Sequence, residues 1–170
     1  MIVHVLVTGS RNWRDIGLVR AALARVVELS PPGSAFLLGH GDQGALRDGR
    51  PVKGLDRMAG WVARREFGME VEPYPADWSR CGDGCPPPDS GVEHRRFDQY
   101  GRSRCPTAGF RRNERMVRAR AWQVCLAFPQ GRSVGTRHCM TRAEAAGAHV
   151  VNVADEGVAA IVVPGLAVSG

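Results

Sequence analysis

Along the chain, short apolar runs alternate with longer stretches in which apolar positions recur every three or four residues. The runs are IVHVLVT (Ile2 to Thr8), AFLLG (Ala35 to Gly39), MEVEPY (Met69 to Tyr74), QVCLAF (Gln123 to Phe128) and HVVNV (His149 to Val153). Each is bounded by Gly, Pro or polar residues and predicts a strand. After the first run, Ile16, Val19, Leu23, Val26 and Val27 recur at helical spacing, with Asp15 placed to cap that helix. Further helices are predicted over Leu55 to Phe67, ending at Gly68, over about Phe110 to Arg120, and from Thr136 or Thr141 to Ala146, closed by Gly147. Strand and helix alternate throughout, which implies right-handed crossovers and a mainly parallel sheet covered on both faces. The expected fold class is therefore α/β, a Rossmann-like three-layer sandwich.

Two segments interrupt the alternation. GALRDGRPVKG, Gly44 to Gly54, reads as a polar extension ahead of the second helix. The longer one, about 76–109, contains CGDGCPPPDSG and has too little apolar content for a core of its own. It needs a metal, or contact with the main body, to be ordered. The tail VAAIVVPGLAVSG, Val158 to Gly170, offers an edge strand or a partner contact, such as one in a homo-oligomer.

Composition adds limits. With 170 residues and 44% hydrophobic content the chain can bury one sizeable core, so residues 1–170 are expected to form a single domain. No apolar run is long enough to span a membrane, and the N-terminal stretch lacks the layout of a secretory signal; a cytoplasmic protein is expected. Five cysteines, an odd number, favour thiols or metal ligands over disulfides in a reducing compartment. The formal net charge is +6, from 23 basic and 17 acidic residues. The excess is concentrated between Glu93 and Arg120, where nine arginines face Glu93, Asp98 and Glu114. Arginine in place of lysine suits planar recognition of phosphate or carboxylate, because its fork donates two parallel hydrogen bonds.

In open parallel sheets ligands bind beyond the carboxyl ends of the strands. The loops there are TGSRNW (Thr8 to Trp13), GHGDQG (Gly39 to Gly44), YPADW (Tyr74 to Trp78) and FPQGRSVGT (Phe128 to Thr136), all carrying small or polar groups. Glycine permits close backbone approach; hydroxyls and the amides at a helix start suit a phosphate. Neither the dinucleotide fingerprint nor the Walker phosphate loop is present. The candidate ligand-binding residues in and beside these loops are Gly9, Ser10, Arg11, Gly41, Asp56, Gly131, Ser133, Gly135 and Thr136. Trp13 and Trp78 read as packing residues, His40 as a loop contact, and Asp56 also as a cap for the second helix. In the insertion, Cys81, Cys85, His94 and Cys105 offer four ligands for a closed tetrahedral zinc site, a structural cofactor whose binding would order the segment.

The combination VLVTGSRNWRD, GHGDQG with GLDRMAGWVA, PADW, AGFRRNERM and CLAFPQGRSVGT resembles the YspA-like branch of the SLOG superfamily, from Ile2 to about Val153. This Rossmann-like group also contains the LOG phosphoribohydrolases and the DNA-processing protein DprA. The resemblance implies binding or processing of a nucleotide or nucleotide-derived ligand. Against the LOG enzymes, Arg112 falls at a catalytic or phosphosugar-contacting arginine and Asn113 where they have lysine, so the resemblance implies Arg112 as the candidate catalytic group and Asn113 as a further candidate ligand-binding residue. Their phosphate loop is similar to Pro129 to Thr136, but here it is longer, and the position of their catalytic glutamate falls near Cys139. The group that would stabilise an oxocarbenium-like centre is thus absent from its usual place. The resemblance leaves three functions open: a nucleotide-processing enzyme of phosphoribohydrolase type, a non-catalytic nucleotide sensor, and a DprA-related nucleic-acid-binding protein using the basic segment.

Overall fold

The computed structural model describes residues 1–87, 89–98 and 100–165. In chain order the elements are β1 (Ile2–Gly9), α1 (Ile16–Leu29), β2 (Ala35–His40), β3 (Ala45–Arg47), β4 (Arg50–Lys53), α2 (Leu55–Glu66), β5 (Glu70–Pro73), β6 (Arg96–Phe97), β7 (Ser103–Arg104), α3 (Ala108–Arg118), β8 (Val124–Phe128), α4 (Val134–Ala145), β9 (His149–Asn152) and α5 (Val153–Glu156), followed by a 3-10 turn at Val158–Ala160. Five strands form one parallel sheet in the order β5-β2-β1-β8-β9. β1 and β8 are buried along almost their whole length, as central strands covered on both faces must be. The α/β, mainly parallel architecture follows the alternation of the sequence.

Two clusters of buried side chains fill the layers on either side. The larger joins Val3, Val5, Val7, Leu38 and Leu126 of the sheet to Val19, Leu23 and Val26 of α1 and Val62 of α2. Asp15 caps α1 as its position predicts, its carboxylate accepting from the Leu18 amide at 2.9 Å. The smaller lies under α3 and α4, where Leu6 and Cys125 meet Met116, Trp122 and Cys139. Each fully buried Val or Leu stabilises the fold by roughly 1.5–3 kcal/mol, so these layers fix the strand ends on which the loops stand.

Several boundaries differ from expectation. The third helix runs Ala108–Arg118 in place of Phe110–Arg120, and the fourth starts at Val134, ahead of Thr136 or Thr141. Gly44 to Gly54 is not a plain extension: β3 and β4 pair as an antiparallel hairpin about Asp48 and Gly49, both at positive φ (50° and 73°), the geometry of a tight hairpin turn. The hairpin projects from a pinch at which a Cβ on Gly54 would lie 2.9 Å from the Gln43 carbonyl. The tail adds no edge strand within the described residues; the 3-10 turn and buried Ile161 pack onto α1 and the main core instead. Residues 166–170, the rest of that expectation, lie outside the described residues. No helix among the described residues is long and apolar enough to cross a membrane.

Candidate functional site

The carboxyl ends of β1 and β8 lie side by side, but the chain leaves β1 toward β2 on one side and β8 toward β9 on the other. Strand order reverses there, which opens a crevice between the departing loops. The Ser10 amide donates to the Phe128 carbonyl at 3.0 Å and ties the loop after β1 to the end of β8. Above this junction is a cavity of about 450 Å³, a size that suits small-molecule ligands, roughly 300–1,000 Å³.

Gly9, Ser10, Arg11, Gly41, Asp56, Arg112, Asn113, Ser133, Gly135 and Thr136 all line it. Gly131 stands outside the lining; with Ser133 (φ 32°) it supplies the positive φ, here 61°, that turns the chain from β8 into α4. Gly135 itself has ordinary helical φ, and a Cβ placed on it would meet nothing within 4 Å. The start of α4 is therefore open to the cavity. Both loop serines close their own turns: Ser133 Oγ donates to the Gln130 carbonyl at 2.7 Å and accepts from its amide at 2.8 Å, while Ser10 Oγ accepts from the Asn12 amide at 3.0 Å.

Arg112 reaches the floor from α3. Its guanidinium donates to the Gly41 carbonyl, to the Tyr74 carbonyl at 3.3 Å and to Asn113 Oδ1 at 2.8 Å. Burial lowers its pKa, opposed by the nearby Asp56 carboxyl. A Cβ on residue 41 would overlap the guanidinium, so the arginine keeps this seat only with glycine there. Asn113 donates to the Gly135 carbonyl at 2.9 Å, so it joins the arginine helix to the start of α4.

Asp56 does not cap α2. Gly54 holds the cap position, and Asp56, 5% exposed, accepts from the Gln43 amide at 3.1 Å across the loop. Burial pushes its carboxyl up to about 6, against the opposing pull of Arg112. His40, at the end of β2, is buried against Gly60 and accepts on Nδ1 from the Asp42 amide at 3.0 Å. Burial first, then Arg64, Arg57 and Arg112, bring its imidazole down to about 4, so it is neutral at physiological pH. Cys139, near the position of the LOG glutamate, is fully buried behind the cavity, and burial pushes its thiol up to about 11; it offers no anion there.

Trp13 packs edge-on against Phe128 at 5.3 Å and does not line the cavity. Trp78 does line it, with the Arg104 guanidinium 5.8 Å above its ring. Arg96, Arg104 and Phe110 also join the wall. Trp78, Arg96 and Arg104 were missed as site residues because 76–109 carries no periodicity that would aim its side chains inward, and Phe110 because a phenylalanine at a helix start reads as packing. The clustering of arginine with aromatic residues in that segment was the available signal.

The insertion is folded around Cys81, Cys85, His94 and Cys105, whose ligand atoms all lie within 4.8 Å of one another. Cys85 Sγ is 3.7 Å from Cys105 Sγ, and His94 Nε2 is 3.4 Å from Cys105 Sγ. A tetrahedral ion with metal–sulfur bonds of about 2.3 Å and a metal–nitrogen bond of about 2.0 Å requires edges of roughly 3.8 and 3.5 Å. The group therefore fits a metal ion. Arg111 donates to the sulfurs of Cys85 and Cys105 at 3.7 and 3.4 Å, and Arg95 to Cys81 at 3.4 Å, which offsets the negative charge of bound thiolates. Burial would raise the Cys105 thiol, but hydrogen bonds from Thr107, Arg111 and His94 prevail and bring it down to about 5. The pairing of β6 with β7 and the start of α3 hang from this cluster.

The sequence profile of the YspA, cpYpsA-related SLOG family matches residues 3–81. The Gene 61 protein of Mycobacterium phage D29 is 40% identical over 154 residues, covering 90% of this chain and 98% of that protein. No solved structure matches the chain.

Proposed function

We propose that this chain, which belongs to the YspA, cpYpsA-related SLOG family, binds a nucleotide or nucleotide-derived ligand with a phosphate at the start of α4. The observation that carries this reading is the open space beside Gly135, set at the switch point of the sheet with Arg112 on the same cavity wall. The first-turn amides of α4 have no acceptor within the helix, and together with the positive end of its dipole they favour an anion. Arg112 adds a planar cation that Gly41 and Asn113 hold in place.

In this reading Cys81, Cys85, His94 and Cys105 hold a structural zinc, consistent with their closed arrangement and with a reducing compartment such as the cytoplasm, where the thiols stay available. Zinc there supplies folding energy to a segment with no core of its own and sets the approach to α3. Cleavage of the ligand at a ribosyl or phosphate bond is the second reading. It is favoured by Asp56, the single carboxylate on the cavity lining, buried beside Arg112 and raised toward neutrality.

Titration calorimetry with the common nucleosides and their 5′-monophosphates tests the first reading. At least one monophosphate should bind, and more tightly than its nucleoside. Gly135→Val, which places a branched side chain in the open space, should abolish that binding in a protein that still unfolds cooperatively. Unchanged affinity in the folded variant removes the phosphate from α4. Chromatography of the incubated monophosphates for released base or phosphate tests the second reading.

A further inference from the structure

We propose that the cavity takes a ligand with two linked phosphoryl groups, a nucleoside diphosphate or a nucleotide joined through a diphosphate, and that Arg96 and Arg104 of the metal-clipped ribbon receive the second group. This rests on the nucleotide reading above and specifies its ligand.

The charge inventory comes first. Arg11, Arg96, Arg104 and Arg112 line the cavity against the single carboxylate of Asp56. None of the four pairs with a carboxylate among the described residues, whereas Arg20, Arg57, Arg102, Arg120 and Arg142 elsewhere all do. Other arginines also lack a carboxylate partner, but these four share one concave space, where their fields add and low-dielectric walls strengthen them. A monophosphate brings a charge of about −2 at neutral pH, which leaves part of that field unmet. A second phosphoryl group meets more of it.

Position separates three of them into two poles. Arg112 is anchored at the floor by the Gly41 and Tyr74 carbonyls. Arg96 and Arg104 sit on the ribbon and are direct cross-strand partners in the β6–β7 pair. Like charges placed opposite each other on a ribbon face destabilise it, and this pair has no acid between its members. The cost is offset when an anion lies across both guanidinium groups, each of which can donate two parallel hydrogen bonds to phosphoryl oxygens. Arg104 is further oriented by the Trp78 ring, which lies in the same wall. His94 and Cys105 of the candidate metal cluster flank the ribbon at its two ends, so with a metal bound the two arginines would meet the ligand as a fixed clamp.

The test is calorimetry of the metal-containing protein at about 0.15 M salt, with the 5′-monophosphate and 5′-diphosphate of each common nucleoside. The diphosphate of the preferred base should bind roughly tenfold or more tightly than its monophosphate, the gain expected of one added charge-assisted contact. Arg96→Gln combined with Arg104→Gln should bring the diphosphate down to the monophosphate level and leave the monophosphate unchanged. Arg102→Gln, on the same ribbon but outside the lining, should change neither. Metal content and far-ultraviolet circular dichroism check that the ribbon and the fold persist in the double variant. If monophosphates bind but diphosphates bind no better, or if the double variant weakens both equally, the two-phosphoryl assignment is overturned and the nucleotide reading stands. If no nucleotide binds the parent protein, both fall. Tighter binding of a single-stranded oligonucleotide than of any diphosphate, lost in the double variant, would assign the ribbon to nucleic acid and also overturn the proposal.

Discussion

Replacing Asp56 with asparagine should stabilise this protein near neutral pH and leave its stability almost unchanged near pH 4. Asp56 is 5% exposed, and its carboxyl is raised from the ordinary value near 3.8 to about 6 by burial, with Arg112 and the Gln43 amide opposing. Between those two values the unfolded chain has released the proton while the folded chain still holds it. Stability therefore falls as pH rises through this window. A gap of about two pH units at 1.36 kcal/mol each gives a loss of about 3 kcal/mol by pH 7. Asparagine keeps the oxygen that accepts from Gln43 and never ionises, so it escapes that loss. His40 contributes with the opposite sign: its imidazole is lowered to about 4, so between pH 4 and 6.5 the unfolded chain holds the extra proton and stability rises with pH. Cys105, lowered to about 5, adds to the rise above pH 5 in both proteins, so the Asp56→Asn profile should rise more steeply with pH than that of the parent. Urea unfolding of both proteins at pH 4, 5, 6 and 7 reads the difference directly, and any metal lost at low pH is lost from both. A constant difference across the series, or a less stable variant at pH 7, would refute the reasoning and mean that Asp56 is ionised and well compensated by Arg112.

Removing the metal with a chelator, or replacing Cys81 and Cys85 together with serine, should raise amide hydrogen exchange across 76–109 while the sheet stays protected, because only the insertion lacks an apolar core; uniform exchange over the whole chain would contradict this. Elemental analysis of protein purified without added metal should find about one zinc per chain. Gly41→Ala should weaken monophosphate binding about tenfold or more by driving the Arg112 guanidinium from its seat, while the main core, to which residue 41 contributes no side chain, keeps its stability; equal affinity in calorimetry would remove Arg112 from the site.

The sheet and the placement of the site were legible because each buried strand is a compact apolar run and because strand order in such a sheet dictates where loops converge. Arg112, on α3, was reached through the resemblance to the LOG enzymes, whereas Arg11 and the loop after β8 could be placed from that rule alone. The start of α4 could not. Ser133 at its cap position is a cap residue by type, but its hydroxyl closes the preceding turn, and Val134 is 56% exposed, so the first turn carries no apolar position to mark it. The β3–β4 hairpin was missed although Asp48–Gly49 is a strong hairpin signal, because its strands are short and mostly exposed and lack apolar alternation. Arg96, Arg104 and Trp78 reach the cavity through tertiary contacts and the cysteine–histidine cluster, which no local period encodes. Asp56 was recognised as important but given the wrong partner: a carboxylate at a helix start suggests a cap, whereas the Gln43 amide it meets is supplied by a loop 13 residues earlier.

Gly9 is enclosed by the Leu55 side chain and the Phe128 carbonyl, 2.9 Å from where its Cβ would stand. The loop after β1 is thereby cemented into the layers beneath it, and sequence drift there carries a penalty to folding as a whole. The ribbon of the insertion is under no such restraint, since Phe97 is 69% exposed and the ribbon pairs only with itself. Substitutions in the ribbon can therefore reshape one wall of the cavity while the sheet and the loop after β1 stay as they are, as a lens is changed on a fixed camera body.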